Sequence, residues 1–249
     1  MSEIFPAKSI AFEVLSCTDP SREGEFNLWY DKVHVPEVRT ISGIVDVYRY
    51  RDMQPDLKDL GARLSAPAGA PVRYLTVYRI NAPDPWAVMQ KVKENDTKQA
   101  AAGRAIDCMK SFEVSVWDFV ACRHSLLPPL RHTRLPDGMP EAMLLLFGGH
   151  DPARKVEHDD WWLYTHAHDL LETPGMVQCQ RYMSLNPAPS ESEPNVCNVY
   201  EFDLDNPGAA MLKILEDDKC VRRVQGRFSS FSRAVKSYGT GLYQHWDLM

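Results

Sequence analysis

Between Ile44 and Arg51 the side chains alternate with a period of two: Val45, Val47 and Arg49 fall on one side, and Ile44, Asp46, Tyr48 and Tyr50 on the other. That period is the signature of a strand. Neither side is purely apolar, so the strand is expected either to line a pocket or contact a partner sheet, or to be an edge with one wet face. Further strands are predicted at Ser9–Ser16, Val72–Ile80 and Ser111–Ala121. Four more are predicted at Glu141–Gly148, Gly175–Ser184, Asn195–Phe202 and Phe228–Tyr238. Asp19-Pro20 is a helix start, with Asp as the N-cap and Pro at the first helical position, where a missing N–H is harmless. The helix is expected to run towards Val33 and to be limited by Pro36, with a further turn from Pro36 to Ser42 closed by Gly43. Asp151-Pro152 repeats the device and opens a helix over Pro152–Glu172. Second helices are predicted from Asp84 to about Asp96 and over Asn206–Glu216. Asp52–Pro71, with three prolines and two glycines, is a long loop.

The pattern is written twice. Shifted by 132 positions, Asp19, Pro20, Arg22, Trp29, His34, Gly43, Val45, Arg49 and Tyr50 coincide with Asp151, Pro152, Arg154, Trp161, His166, Gly175, Val177, Arg181 and Tyr182. Downstream the match resumes at a shift of 122, from Val77-Tyr78 onto Val199-Tyr200 and through Lys91 onto Lys213. A period above a hundred residues means two domain-sized halves, not solenoid units. The expected organisation is a first repeat over 1–122, a linker over 123–140 marked by prolines, and a second repeat with a C-terminal tail over 141–249. Each half reads βαββαβ, an antiparallel sheet with both helices on one face. The bare faces of two such sheets would be buried by packing on each other. The fold class is therefore α+β.

Composition narrows the function. No apolar run approaches the roughly 20 residues of a membrane span. The N-terminal MSEIFPAKSI lacks an apolar signal core, so a cytoplasmic protein is expected. A formal net charge of −6 without a long basic block gives no nucleic-acid footprint. The six cysteines contain no C-x-x-C pair, and no nucleotide-binding or nucleophile-elbow motif is present. A small-molecule substrate and a homo-oligomer are compatible with what remains.

The stretch Glu25-Phe26-Asn27-Leu28-Trp29-Tyr30-Asp31-Lys32-Val33-His34-Val35-Pro36, then Ile41-Ser42-Gly43 and Arg49-Tyr50, resembles the EthD-like branch of the dimeric α+β barrel superfamily. Its pattern is a helix ending in W-Y-x-x-x-H-x-P, a turn with Gly, and a strand ending in R-Y. The second half keeps Trp161-Trp162 and His166 but has His168 where Pro36 stands. The resemblance implies two ferredoxin-like units paired through their sheets, an intramolecular version of the usual dimer, with a pocket between sheet and helices. It leaves the reaction open among cyclases, isomerases, cofactor-free monooxygenases, haem enzymes and proteins of no known activity.

Tyr30 and His34, four apart on a helix, share a face and suit proton transfer, with His34 as base and the phenol as acid or oxyanion donor. The plainer reading of His34 is a helix cap. His166 is its counterpart, with Trp162 in place of Tyr30, while Tyr164 and His168 form an alternative pair on another face. His166 and His168 diverge by about 200° on a helix, so a shared metal is not expected. Trp29, Trp161 and Trp162 could wall an aromatic substrate or be core. Arg49 and Arg181 could bind an anionic substrate or sit in structural salt bridges, and Tyr50 and Tyr182 complete the candidate binding set. The expected activity is cofactor-independent proton-transfer chemistry, as a lyase, cyclase or isomerase, on a small aromatic or polyketide-like compound. A cofactor-free monooxygenase on a phenol and a binding protein without turnover are the alternatives.

Overall fold

The computed structural model describes residues 7–53, 73–126, 142–149, 152–185, 194–202 and 236–245. They fall chiefly into two compact units, one built on 7–52 and 73–119, the other on the described residues of 120–244.

In the first unit the strands are β1 (Ser9–Cys17), β2 (Ile44–Asp52), β3 (Arg73–Ile80) and β4 (Met109–His124), whose last residues from Val120 belong to the second unit. β1 pairs antiparallel with both β3 and β4, and β2 pairs with β3. The order β4-β1-β3-β2 is that of a ferredoxin-like βαββαβ module. Asp19 caps the helical stretch as expected, its side chain accepting from the Ser21 N–H at 3.0 Å with Pro20 at the first position. A 3₁₀ turn over Pro20–Arg22 leads into α1 (Glu23–Trp29).

The stretch then departs from the sequence expectation. It does not run regularly to Val33. A π-helical turn occupies Tyr30–His34, with the Val35 N–H bonded to the Tyr30 carbonyl, and α2 (Val35–Val38) follows. Pro36 sits in the first turn of α2, where its missing N–H is tolerated. α3 (Pro85–Ala101) is opened by Asp84, which accepts from the Ala87 N–H, and runs five residues past the expected end because Thr97–Ala101 contains nothing that breaks a helix. It ends before Gly103, whose φ is +67°.

The second unit repeats the order. β5 (Ala142–Gly149) pairs with β7 (Val196–Phe202) and β8 (Lys236–His245), and β6 (Met176–Ser184) pairs with β7. A 3₁₀ turn over Pro152–Arg154, α4 (Lys155–Trp161), a π-helical turn over Trp162–His166 and α5 (Ala167–Leu171) follow β5. The π-turn recurs although His168 stands where Pro36 was, so proline is not what makes it. Leu144, Trp162, Leu170, Cys179, Tyr200 and Phe202 form the core under these helices. The last strand is described over Lys236–His245 and runs through Gly239 and Gly241, past the expected end at Tyr238, while the expected start at Phe228 lies outside the described residues. The predicted helix over Asn206–Glu216, the linker from 127 on and most of the loop Asp52–Pro71 lie outside the described residues.

In β2 the alternation is broken by a bulge between Ile44 and Asp46, which leaves Val45 exposed while Val47 and Arg49 point to the helices. Tyr48 and Tyr50 are buried on the opposite face with Phe12, Leu75 and Val77. Gly43, just before β2, has φ +102°, and a Cβ there would stand 2.8 Å from Val88 Cγ2 and 3.3 Å from Ala82 Cβ. Gly43→Ala is expected to lower the unfolding free energy by about 1–3 kcal/mol through backbone strain alone. Gly103→Ala, with no atom within 4 Å of the new Cβ, is expected to lower it less. Paired denaturant titrations check the ranking.

Candidate functional site

Arg49 organises the helix-facing side of the first unit. It rises from β2 fully buried, and its Nη1 and Nη2 donate to Asp31 Oδ1 at 2.7 Å and to Asn27 Oδ1 at 2.9 Å. Its guanidinium lies 4.3 Å from the centre of the Tyr30 ring and 4.6 Å from that of Tyr74. Arginine suits this place because a flat, weakly hydrated cation stacks on rings while its edge donates in a fork. Asn27 Nδ2 in turn donates to the Tyr74 hydroxyl, which donates to Glu23. The helix acid Asp31 is thus the partner of Arg49; Asp46 instead pairs with Arg39. Arg49 is sealed from solvent by its own unit.

Tyr30 is also fully buried, with its hydroxyl 2.7 Å from Thr76 Oγ1 and 3.3 Å from the Tyr78 hydroxyl. Tyr78 donates to Glu13 Oε2 at 2.6 Å. Burial, with the Glu13 carboxylate second, pushes both phenols above the ordinary tyrosine value, so they stay protonated at neutral pH. The Tyr74 phenol rises to about 12 through burial and the bond to Glu23.

The π-turn brings the His34 ring over Tyr30, 4.4 Å between centres, and within 5.6 Å of Trp29. The imidazole is 1 % exposed. Its Nδ1 lies 3.1 Å from Asp96 Oδ1 on α3, within ion-pair distance but off the line of a good hydrogen bond. The sequence reading missed Asp96, because nothing in Glu94-Asn95-Asp96 distinguishes a surface helix acid from one aimed at a histidine. Asp96 is the member of this pair that reaches solvent. It borders a pocket of about 300 Å³ with Trp29, Lys93, Thr97, Gln99 and Met109. Trp29 is held there by its indole N–H, which donates to the Arg104 carbonyl at 2.6 Å. Tyr30 and His34 therefore meet each other, but the pocket opens beyond His34, at Asp96 and Trp29, and the Tyr30 hydroxyl is turned into the sheet. Tyr50 cannot share it: strand alternation puts it on the other face from Arg49.

The second unit uses the matching positions differently. Arg181 donates through Nε to Asp159 at 2.9 Å and through Nη1 to Asn198 at 3.0 Å, and its Nη2 meets His158 Nδ1 at 2.6 Å. Like Arg49 it is buried in an ion pair. Trp162 is buried in the core under Arg181, which stands 5.5 Å from its ring. His166 stacks on Trp161 at 4.9 Å and its Nε2 lies 3.2 Å from the Tyr200 hydroxyl. Tyr164 is 64 % exposed beneath Arg123, and His168 is half exposed beside Asp169 and Glu172. The Tyr164–His168 pair is thus on the surface among the described residues. Tyr182, on the face away from the helices, donates to Gln180, and Glu201 accepts from Gln178 and Gln180. Among the described residues no three His, Cys, Asp or Glu side chains are grouped as a metal site requires, and no helix is long and apolar enough to cross a membrane.

No family model matches the chain, and no curated protein matches it in sequence. Solved structures do match in fold. An anthrone oxidase-like protein is 14% identical over 96% of this chain and 92% of its own, with a TM-score of 0.52. A variant of Rhodococcus jostii DypB in complex with heme is 10% identical over 96% and 92%, at 0.54. Chlorite dismutase from Candidatus Nitrospira defluvii is 12% identical over 97% and 92%, at 0.52. The likeness is one of fold, the α+β barrel class, and it spans nearly the whole chain. The described histidines on the two π-turns do not fit a haem: His34 is enclosed by Tyr30, Trp29 and Asp96, and His166 turns its Nε2 to Tyr200.

Two stability predictions follow from the ion pairs. Asp31→Ala strands a fully buried arginine and is expected to cost about 3–5 kcal/mol in a denaturant titration. Burial alone would raise the Asp159 carboxyl, but Lys155 and Arg181 outweigh it and hold it below its ordinary value. Its contribution is then present above about pH 4 and lost as pH falls through the depressed folded value. The stability of Asp159→Asn should therefore lie below wild type at pH 7 and converge with it as pH is lowered through that depressed value.

Proposed function

We propose that the chain is a tandem duplication of an EthD-like module whose first half is a proton-transfer enzyme, working without a cofactor on a small aromatic compound in the pocket at Trp29. The observation that carries this reading is the contact between buried His34 and pocket-facing Asp96. Asp96 is placed to take a proton from a substrate stacked on Trp29. His34 Nδ1, 3.1 Å behind it, is the group that can hold that proton or orient the carboxylate. Lys93 at the same rim supplies positive charge for the phenolate or enolate that results. The protonated Tyr30 ring supports the imidazole from below. Return of the proton at another atom gives an isomerisation, cyclisation or elimination. His34 thus acts through Asp96 in this reading, and Tyr30 is a support, not an acid.

The second reading is a cofactor-free oxygenase on a phenol, in which the same deprotonated substrate meets dioxygen. The fold likeness to an anthrone oxidase-like protein favours it. Both readings begin with the same proton abstraction, and oxygen uptake separates them.

The test is hydrogen–deuterium exchange of phenolic and enolisable aromatic substrates in D2O, followed by NMR with and without air. Asp96→Asn and His34→Gln are each expected to lower exchange by about 10²–10⁴ with the circular dichroism spectrum retained. His34→Gln should also lower kcat more than it raises KM, which a purely structural role would not do. Lys93→Met should raise KM more than it lowers kcat. Full turnover in both His34 and Asp96 variants, with only a lower Tm, would place the chemistry elsewhere.

A further inference from the structure

Cys17 and Cys108 stand with their sulfurs 3.5 Å apart at one end of the first unit. Both are free thiols and both are buried. They are 91 residues apart in sequence. Their backbones are already fixed against each other. The Thr18 N–H and hydroxyl both donate to the Cys108 carbonyl, at 2.7 and 3.1 Å. Cys17 pairs with Met109 in the β1–β4 ladder. Arg22 Nη1 donates to Asp107 Oδ1 at 2.7 Å across the same junction. A disulfide needs sulfurs about 2.05 Å apart on Cα atoms held at a suitable spacing. Here adjacent paired strands hold the backbone, so side-chain rotation has only about 1.5 Å to close.

We propose that Cys17 and Cys108 are a redox-modification site, forming a reversible disulfide with a peroxide as oxidant. One thiolate attacks hydrogen peroxide, giving a sulfenic acid and hydroxide. The second thiol attacks that sulfur, forms the S–S bond and expels water. Two thiols and one peroxide become one disulfide and two waters. The reaction is slow at neutral pH, because burial and the neighbouring thiol push Cys108 up to about 11 and keep it protonated. Oxidation also removes the bond from Cys17 Sγ to the Asp19 carbonyl at 3.0 Å, at the residue that caps the helical stretch leading to His34. Met109, next to Cys108, lines the Trp29 pocket, so the modification sits against that pocket's wall.

The experiment uses the full chain, treated with a small excess of hydrogen peroxide, alkylated and digested without reductant. Mass spectrometry is expected to show one cross-linked peptide pair joining Cys17 to Cys108, lost on adding dithiothreitol. The oxidised protein should melt about 5–15 °C higher than the reduced protein, because the cross-link closes a long loop of the unfolded chain. Cys17→Ser and Cys108→Ser should each abolish the shift. Peptide mapping of the wild type decides the matter even if a variant folds poorly. Both thiols remaining alkylatable after treatment, or each carrying its own sulfinic acid, would overturn the proposal.

Discussion

A charge buried against aromatic rings is the constraint on which each unit is built. Arg49 reaches from β2 under α1, and Arg181 from β6 under α4. A guanidinium can be taken out of water only if its donors find acceptors, so the helix above it must present oxygen at set positions. Asn27 and Asp31 do so in the first unit, and Asp159, with Asn198 from β7, in the second. These contacts fix the rotation and height of the helix on the sheet. The π-turn, which contains Asp31 in the first unit and follows Asp159 in the second, inherits its position from that fit.

The matched positions then diverge in chemistry. Where the first unit places Phe26, Asn27 and Tyr30 about its arginine, the second places His158, Asp159 and Trp162. Thr76 and Tyr78 of β3 correspond to Asn198 and Tyr200 of β7. In the first unit the π-turn histidine turns to an acid on α3. In the second it turns to Tyr200 and stacks on Trp161. The same backbone device carries a histidine–carboxylate contact in one case and a histidine–phenol contact in the other. Only the first adjoins the described pocket.

Much of the fold was legible in the sequence, because strand alternation, the Asp-Pro helix starts and the repeat are local or self-referential signals. Among the described strands the ends were found within a few residues, except the C-terminal end of β8, which continues through two glycines beyond Tyr238. The π-turn was not legible: inserting one residue into a helical ladder changes no periodicity that a short segment can display. The pairing of Tyr30 with His34 was legible, and their burial was not. Whether a tyrosine four residues before a histidine faces a cavity depends on what rises from β3 to meet it, here Thr76 and Tyr78. Asp96 escaped because its meaning comes entirely from α3 passing over His34. Arg49 and Tyr50 stood together in the candidate binding set although the alternation already placed them on opposite faces of the strand.

The sheet of the first unit also sets an order of events in time. Within this sheet β1 is the first strand to be made, and one of its two partners is the last: Ser9 donates at 2.9 Å to Asp118, 109 positions further along the chain. At about 5–20 residues per second, roughly 5–20 seconds of synthesis separate the emergence of these two residues. During that interval the β1 edge that will meet β4 has no partner within its own module. Ile10, Phe12 and Leu15 are apolar, so a nascent chain in this state offers an unpaired strand to any other it meets. Completing the unit is therefore a long-range closure, and its speed is governed by chain topology more than by the strength of any one contact.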